Sequence, residues 1–303
     1  MIGLVLRRLL AAVIVVVCVA TFAFFALRAA PGGPFDAARQ PSSSVRANVE
    51  RAYRLDRSIG AQYVDYLAGL ARGDLGWSMR RPERVASIIA QGFPVSLELG
   101  AWALAFAMVF GVGLGVAAAA GRDGPLDHVA RGISLVGISV PAFVAGPLLI
   151  EWLALRWGVL PAARWDGASS RVLPAVTLGL AYLGIIARLT RASTLESVRQ
   201  DFVRTARAKG LGEPAVLLKH ALRPAIVPVV SYLGPAVAGL VTGSIVVETL
   251  FALPGLGGLL IRATEDRDYP VVCGILVFSC VIVVVANLLV DVAVARLDPR
   301  VRR

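Results

Sequence analysis

The chain has 303 residues, 57% hydrophobic and only 17% charged, with a mean hydropathy of +0.73 and a formal net charge of +11. Soluble domains run nearer ~45–50% apolar and ~25% charged, so the composition argues against a soluble enzyme and for a protein solvated by lipid. The positive charge does not argue for nucleic acid: 29 of the 31 basic residues are arginine, without an aromatic-interleaved basic patch or zinc spacing, and anchoring against anionic lipid accounts for them.

Six long runs lack Asp, Glu, Lys and Arg: residues 9–27, 99–121, 132–150, 172–187, 224–247 and 269–290. A spanning helix needs ~20 apolar residues, with a range of roughly 17–25. Five runs fit, and the shorter fourth is extended by Arg188 snorkelling at its end. Only helices or closed barrels satisfy the backbone in lipid, so the chain is read as an all-α polytopic membrane protein with six transmembrane helices. The first run follows Arg7 and Arg8 as a signal peptide would, but its 19 residues exceed the usual apolar stretch of about 7–15, so residues 1–30 read as an uncleaved span.

Residues 31–95 follow as an extracytoplasmic insertion. Prolines and glycines at 31–34 break the first helix, and PSSS at 41–44 is a loop. Residues 45–55 and 62–71 have helical character. Tyr63, Tyr66, Leu67 and Leu70 form an i, i+3, i+4, i+7 stripe, read as packing onto the membrane domain. Gly73-Asp74-Leu75-Gly76 is a turn. Such ordered polypeptide would offer a surface to an outside partner.

Residues 96–295 hold the remaining five spans. Pro141, Pro147 and Pro235 lie within runs and are positioned to kink helices. Glu151 and Glu248 are expected near the outer surface, solvated and without a role. TLFALPGLGGLLI at 249–261 is uncharged but too short to cross, and Pro254, Gly255, Gly257 and Gly258 break it. A re-entrant plug and a simple apolar interface loop both fit it. Cys18, Cys273 and Cys280 read as packing residues, the last two about 10 Å apart along one helix.

Basic residues orient the chain. With the amino terminus inside, the short segments carry 16 basic residues inside against five outside (Arg156, Arg164, Arg171, Arg262 and Arg267). Long loops translocate regardless of charge, so the arginines before residue 95 do not count against this. Both termini, including the tail 296–303, are therefore expected to be cytoplasmic.

The inside loop 188–223 carries 11 charged residues in 36. Residues 192–209 are good helix formers, Gly210-Leu211-Gly212 ends that helix through left-handed backbone, and Glu213-Pro214 restarts one. Val216, Leu217 and Leu218 make the second, short helix more apolar than an idle surface needs. Two short helices bent at a glycine form a knob, and lone helices of this length are marginal in water, so the knob implies a receiving groove. Membrane flanks on both sides exclude a DNA-binding helix-turn-helix.

The stretch RTARAKGLGEPAVLLKHALR at 204–223 resembles the cytoplasmic loop of binding-protein-dependent ABC importer permeases. That motif reads Glu-Ala-Ala, three residues, Gly, nine residues, Ile-x-Leu-Pro. Arg204-Thr205-Ala206 stands at its start and Gly210 follows three residues later. His220-Ala221-Leu222-Arg223 closes it, with Pro224 one place late. The spacing is kept while the Glu, the first Ala, the Ile and the Pro are replaced. This form is similar to that of the B-type subunit of dipeptide/oligopeptide importers. So are PGGP at 31–34, QYVDYLAGLARGDLGWS at 62–78, VVETLFALPGLGGLL at 246–260 and LDPRVRR at 297–303. The family often has PGDP at the first of these, so a carboxylate is absent here.

The resemblance implies a type I ABC importer permease fold in a bacterial cell membrane. It also implies a heterodimer with a second homologous permease, two ATPase subunits beneath, and an extracytoplasmic substrate-binding protein that delivers peptide. The coupling loop would be carried by Arg204, Thr205, Ala206, Gly210, Leu211, Val216, Leu217, His220, Leu222 and Arg223. Ala206, Leu211, Val216 and Leu217 would be buried at the ATPase joint.

The residues independently argue for an external energy source. A P-loop needs Gly-Lys-Ser/Thr, but Lys209 and Lys219 follow Ala208 and Leu218. His128 and His220 lie in different loops, so neither catalytic nor metal-binding residues are expected, and ATP and Mg2+ belong to the partners. For the substrate path the candidates are Ser139, Ser231, Tyr232 and Thr242, although polar residues in spans also pack helices together. A weakly charged path suits varied peptides, and equally haem, glutathione or nickel chelates. A secondary transporter would be expected to show internal repeats and buried coupling carboxylates.

Overall fold

The computed structural model describes residues 2–30 and 57–297; the expected breaks at 31–34, the loop at 41–44, the helix at 45–55 and the tail beyond 297 lie outside the described residues. The described regular elements are helices: α1 Ile2–Ala29, α2 Ile59–Ala71, α3 Val85–Ala120, α4 Pro125–Ser139, α5 Ala142–Leu149, α6 Ala168–Val198, α7 Asp201–Ala208, α8 Glu213–Ala215, α9 Leu222–Leu250, α10 Leu256–Glu265 and α11 Tyr269–Leu297. Five are long and apolar enough to cross a membrane, and a sixth span arises if one bent pair is counted as one. The chain divides into two compact units, one of Val95–Leu253 with Val283–Arg303, the other of Ile2–Pro94 with Pro254–Ile282.

In the first unit α6 is the central helix, and glycines decide what it touches. Lipid tails are as apolar as Leu, so spans associate by close packing rather than by escape from water, and small residues permit it. A Cβ on Gly137 of α4 would stand 2.7 Å from the Leu180 carbonyl oxygen, and one on Gly184 of α6 would stand 2.5 Å from the Ser134 oxygen. The two backbones therefore touch from both sides. On another face, Gly111 and Gly115 of α3 meet Ile186 and Ala187, and Gly179 of α6 meets the Ala103 carbonyl. Gly234 of α9 leaves room for Asn287 of α11. Leu99, Ala103, Leu173, Leu178, Leu240, Val247, Phe251 and Leu253 close the core between these crossings. Trp102, Val109, Phe110, Leu135, Val136 and Leu148 are exposed on the surface of this unit.

The second unit is built on α1, α2, α10 and the beginnings of α3 and α11. The expected stripe on α2 turns inward. The Tyr63 and Thr21 hydroxyls lie 2.7 Å apart, and Phe24 packs on the rings of Tyr63 and Tyr66 at 5.3 and 5.4 Å. The expected turn follows, with Gly73 and Gly76 at φ +76° and +81°. Asp268 then pins the chain. It accepts from the Ser78 hydroxyl and, at 3.0 Å, from the Met79 amide. Val85, Ile88, Ile89, Val271, Val272 and Ile275 form the core.

Several expectations change. Run 132–150 is not one straight span: α4 and the α5 segment meet at 109°, broken at Val140–Pro141. The residue before proline avoids helical backbone, and Val140 takes ψ 113°. Beyond Pro147 the helix loosens into a π-helical stretch, Ile150–Arg156. The fourth span is long, not short, because helix α6 continues through charged residues on both sides of its uncharged run.

The expected helix over 192–209 breaks at Arg199–Gln200, where Gln200 becomes extended and Asp201 opens α7 with an acid at a helix N-terminus. The second loop helix is not separate. From Glu213 it runs through the π-helical turns of Val216–Ala221 directly into α9. The wider π turn gives the Pro224 ring room against the preceding carbonyl. Residues 249–261 resolve into a turn, with Ala252 at φ +52°, followed by α10. Their side chains Phe251 and Leu253 are buried. Glu248 is fully buried rather than solvated, and accepts from the Ser96 hydroxyl at 2.7 Å.

Candidate functional site

The loop between α6 and α9 is folded around its own small core. Val203 and Ala206 of α7 lie one helical turn apart and pack on Val216 and Ala221, with Val198 beside them. The turn joining the two sides is a Schellman cap. The Gly210 amide donates to Arg207 O at 2.9 Å and the Leu211 amide to Ala206 O at 3.4 Å. This geometry needs left-handed backbone at Gly210, whose φ is +79°. A Cβ there would meet no atom within 4 Å, so glycine is required by backbone conformation and not by space. Across the turn the Arg207 guanidinium clasps the Glu213 carboxylate through Nε–Oε1 and Nη2–Oε2 at 2.6 and 3.2 Å. That hydrogen bond raises the arginine's pKa above its ordinary value, keeping it charged.

The loop residues divide by exposure. Ala206 and Val216 are buried in this core, so they shape the loop and cannot also meet an outside surface. Arg204, Thr205, Gly210, Leu211 and Arg223 are exposed, and Leu217, His220 and Leu222 are half-buried. Arg204 reaches Asp201 at 3.4 Å, and the Thr205 hydroxyl donates to the Asp201 carbonyl at 3.0 Å. Besides Leu211, the loop exposes Phe202 and Leu218, at 44% and 58%. Phe202 was not singled out from sequence. Its signal lay in the α7 pattern, where Val203 and Ala206 set the buried face and leave Phe202 off it.

A charge cluster fixes the stem of this loop. Asp127, fully buried in the first turn of α4, accepts from Arg191 Nε and Nη2, each at 2.6 Å. Arg131 Nη2 and the Asp123 amide add contacts at 3.0 Å. The α4 start is thereby tied to α6 two turns before the loop. The Asp127–Arg131 spacing of four was legible in sequence; the long-range arginine was not. Around and beyond Arg191 on α6, the Thr190, Thr194 and Ser197 hydroxyls are buried without a hydrogen-bond partner among the described residues.

Three of the four path candidates have described side chains, each in its own surroundings. Ser139 is exposed at the end of α4, and Ser231 spends its hydroxyl on the Val227 carbonyl at 2.9 Å. Tyr232 packs beside the apolar Val229 and Leu183 cluster, and the Thr242 side chain lies outside the described residues. Glu98 and Glu248 of the same unit do have long-range partners: Glu98 is gripped by Arg171 at 2.6 Å and Trp165 Nε1 at 3.1 Å, and Glu248 pairs with Ser96.

Comparison with known proteins gives full-length matches. The family described as "Binding-protein-dependent transport system inner membrane component" matches residues 111–303, and its N-terminal companion matches residues 1–100. The oligopeptide transport system permease protein OppB of Haemophilus influenzae is 40% identical over 305 residues, covering 100% of both chains. OppB of Escherichia coli K12 is 41% identical with the same coverage. The dipeptide transport system permease protein DppB of Bacillus subtilis is 40% identical over 298 residues, covering 98% of this chain and 97% of its own. Together with the apolar helices, these matches identify a multi-pass membrane permease subunit, and the chain belongs to the binding-protein-dependent transport system inner membrane component family.

Proposed function

We propose that this chain is one permease subunit of an ATP-driven importer of dipeptides and oligopeptides, pairing with a second homologous permease over two ATPase subunits. Full-length similarity to permeases named for oligopeptide and dipeptide transport carries the cargo reading. A binding protein outside would deliver the peptide, and both termini would lie in the cytoplasm, following the arginine bias.

In this reading the Schellman-capped loop sits in a groove of one ATPase. Phe202, Leu211 and Leu218 enter the groove, while Ala206, Val216 and the Arg207–Glu213 pair keep the loop rigid. ATPase closure pushes on the loop, and the Asp127–Arg191 clamp carries the push into α4 and α6 together. Rigidity matters because a loop that must order on docking loses binding energy to that ordering.

A charge placed on the apolar surface tests the joint, since docking would have to desolvate it. Leu211→Asp with Phe202→Asp should leave the permease inserted but abolish co-purification with the ATPase subunits. Unchanged co-purification would reject this docking surface. One observation, the buried Glu248, would also suit an ion-coupled carrier, and driving uptake by ATP or by a gradient separates the two.

A further inference from the structure

The second unit contains a cavity of about 240 Å³ that the transport reading does not use. Arg28, in the last turn of α1, reaches into it. Its guanidinium stacks 3.5 Å over the Phe24 ring, donates from Nε and Nη2 to Gln62 Oε1 at 3.2 and 3.0 Å, and from Nη1 to Phe24 O at 3.3 Å. Those bonds use three of the five guanidinium N–H groups, and no carboxylate pairs with this arginine among the described residues. Beside it the Tyr66 hydroxyl is buried against the weakly accepting Cys273 thiol, with no hydrogen-bond partner among the described residues. A half-buried cation and three spare donors in one cavity call for an anion with several acceptor oxygens.

The surroundings narrow the choice. Asp65 and Asp74 also line the cavity; Asp65 pairs with Arg57 at 3.2 Å and Asp74 accepts from the Gly76 amide at 3.0 Å. Carboxylates in the lining disfavour a purely anionic ligand and favour one that also carries an ammonium group. Tyr66 and Tyr269 on the cavity wall are the residue type that marks the headgroup level of a bilayer. The same helix bears an apolar groove lined by Val17, Thr21, Phe22, Phe25 and Ala29. From Val17 to Ala29 is roughly 18 Å of helix axis, against ~15 Å of hydrocarbon in one leaflet.

We infer that this unit binds an aminophospholipid of the phosphatidylethanolamine class. Its phosphodiester receives Arg28 and Tyr66, its ammonium faces Asp65 and Asp74, and one acyl chain lies along the α1 groove. A soluble peptide terminus could satisfy Arg28 but would leave the groove empty.

The test is native mass spectrometry of the purified permease complex, delipidated and then titrated with phosphatidylethanolamine, phosphatidylglycerol or phosphatidylcholine of matched chains. The wild type should retain phosphatidylethanolamine at least tenfold better than either competitor. Arg28→Gln should remove that preference. Tyr66→Phe, which keeps the ring on Phe24, should weaken it several-fold and guards against misfolding of the arginine variant. Millimolar dipeptide and glycerophosphoethanolamine should fail to displace the lipid. Equal retention of phosphatidylglycerol, unchanged retention by both variants, or displacement by either soluble compound would overturn the assignment.

Discussion

Gly210 offers the sharpest test of how the loop works. An L side chain in left-handed backbone costs roughly 1–2 kcal/mol, and a β-branched one more. No neighbour crowds a Cβ there, so that strain is the whole folded-state penalty. Escape from φ +79° relieves it but forfeits the two cap hydrogen bonds from Gly210 and Leu211, worth ~0.5–1.5 kcal/mol each. The terms are of similar size, so Gly210→Val should shift the loop toward an uncapped form by about 5–30-fold. Gly210→Asn tolerates this backbone and should behave nearly as wild type, with Gly210→Ala between the two. The assay is substrate-stimulated ATPase activity of the assembled complex, with hydrogen exchange at the Leu211 amide as the structural readout. Coupling and protection should fall together in the order Asn, Ala, Val. Full coupling in Gly210→Val, or lost coupling with an intact cap, would refute the reasoning.

Three further outcomes follow from the same geometry. Gly137→Val and Gly184→Val should each destabilise the detergent-purified complex by ~1–3 kcal/mol through overpacking, and the double variant should cost less than the sum because both changes pry apart one crossing; thermal melts by size-exclusion fluorescence check this. Asp127→Ala should lower the melting temperature by stranding the Arg191 charge, while Asp127→Ala with Arg191→Leu should recover part of the loss, and equal melts would show that the clamp is not needed. In a cysteine-free background, single cysteines at the exposed positions Arg72 and Ala208 should react oppositely with an impermeant thiol reagent on intact cells, only the first being labelled; the reverse pattern would invert the proposed topology.

Much of this was legible from local chemistry, because local chemistry decides it. Runs without charge find the spans, since a charge is costly in lipid wherever the helix packs. The Gly210 turn and the Glu213-Pro214 restart were readable because left-handed backbone and first-turn proline are local demands. The α2 stripe was readable because its period is that of a helix. What was missed depends on tertiary partners. Glu248 looks like an outer-surface acid until Ser96, 152 residues away, is seen to hold it in the core. Ala206 and Val216 look like docking residues because apolar side chains on a charged loop suggest an outside partner, yet the loop uses them on itself. The end of α6 carries neither glycine nor proline, so only Asp201 marked the break. The glycine crossings were hidden because a glycine in an apolar run reads as composition until its neighbour is known.

The central claim is that this permease works only with ATPase partners, and reconstitution into liposomes tests it most directly. Peptide uptake should require the companion permease, the ATPase subunits, the binding protein and ATP on the coupling-loop side, and should be absent for this chain alone under any imposed gradient. Uptake by the lone chain driven by a proton or sodium gradient would contradict the account.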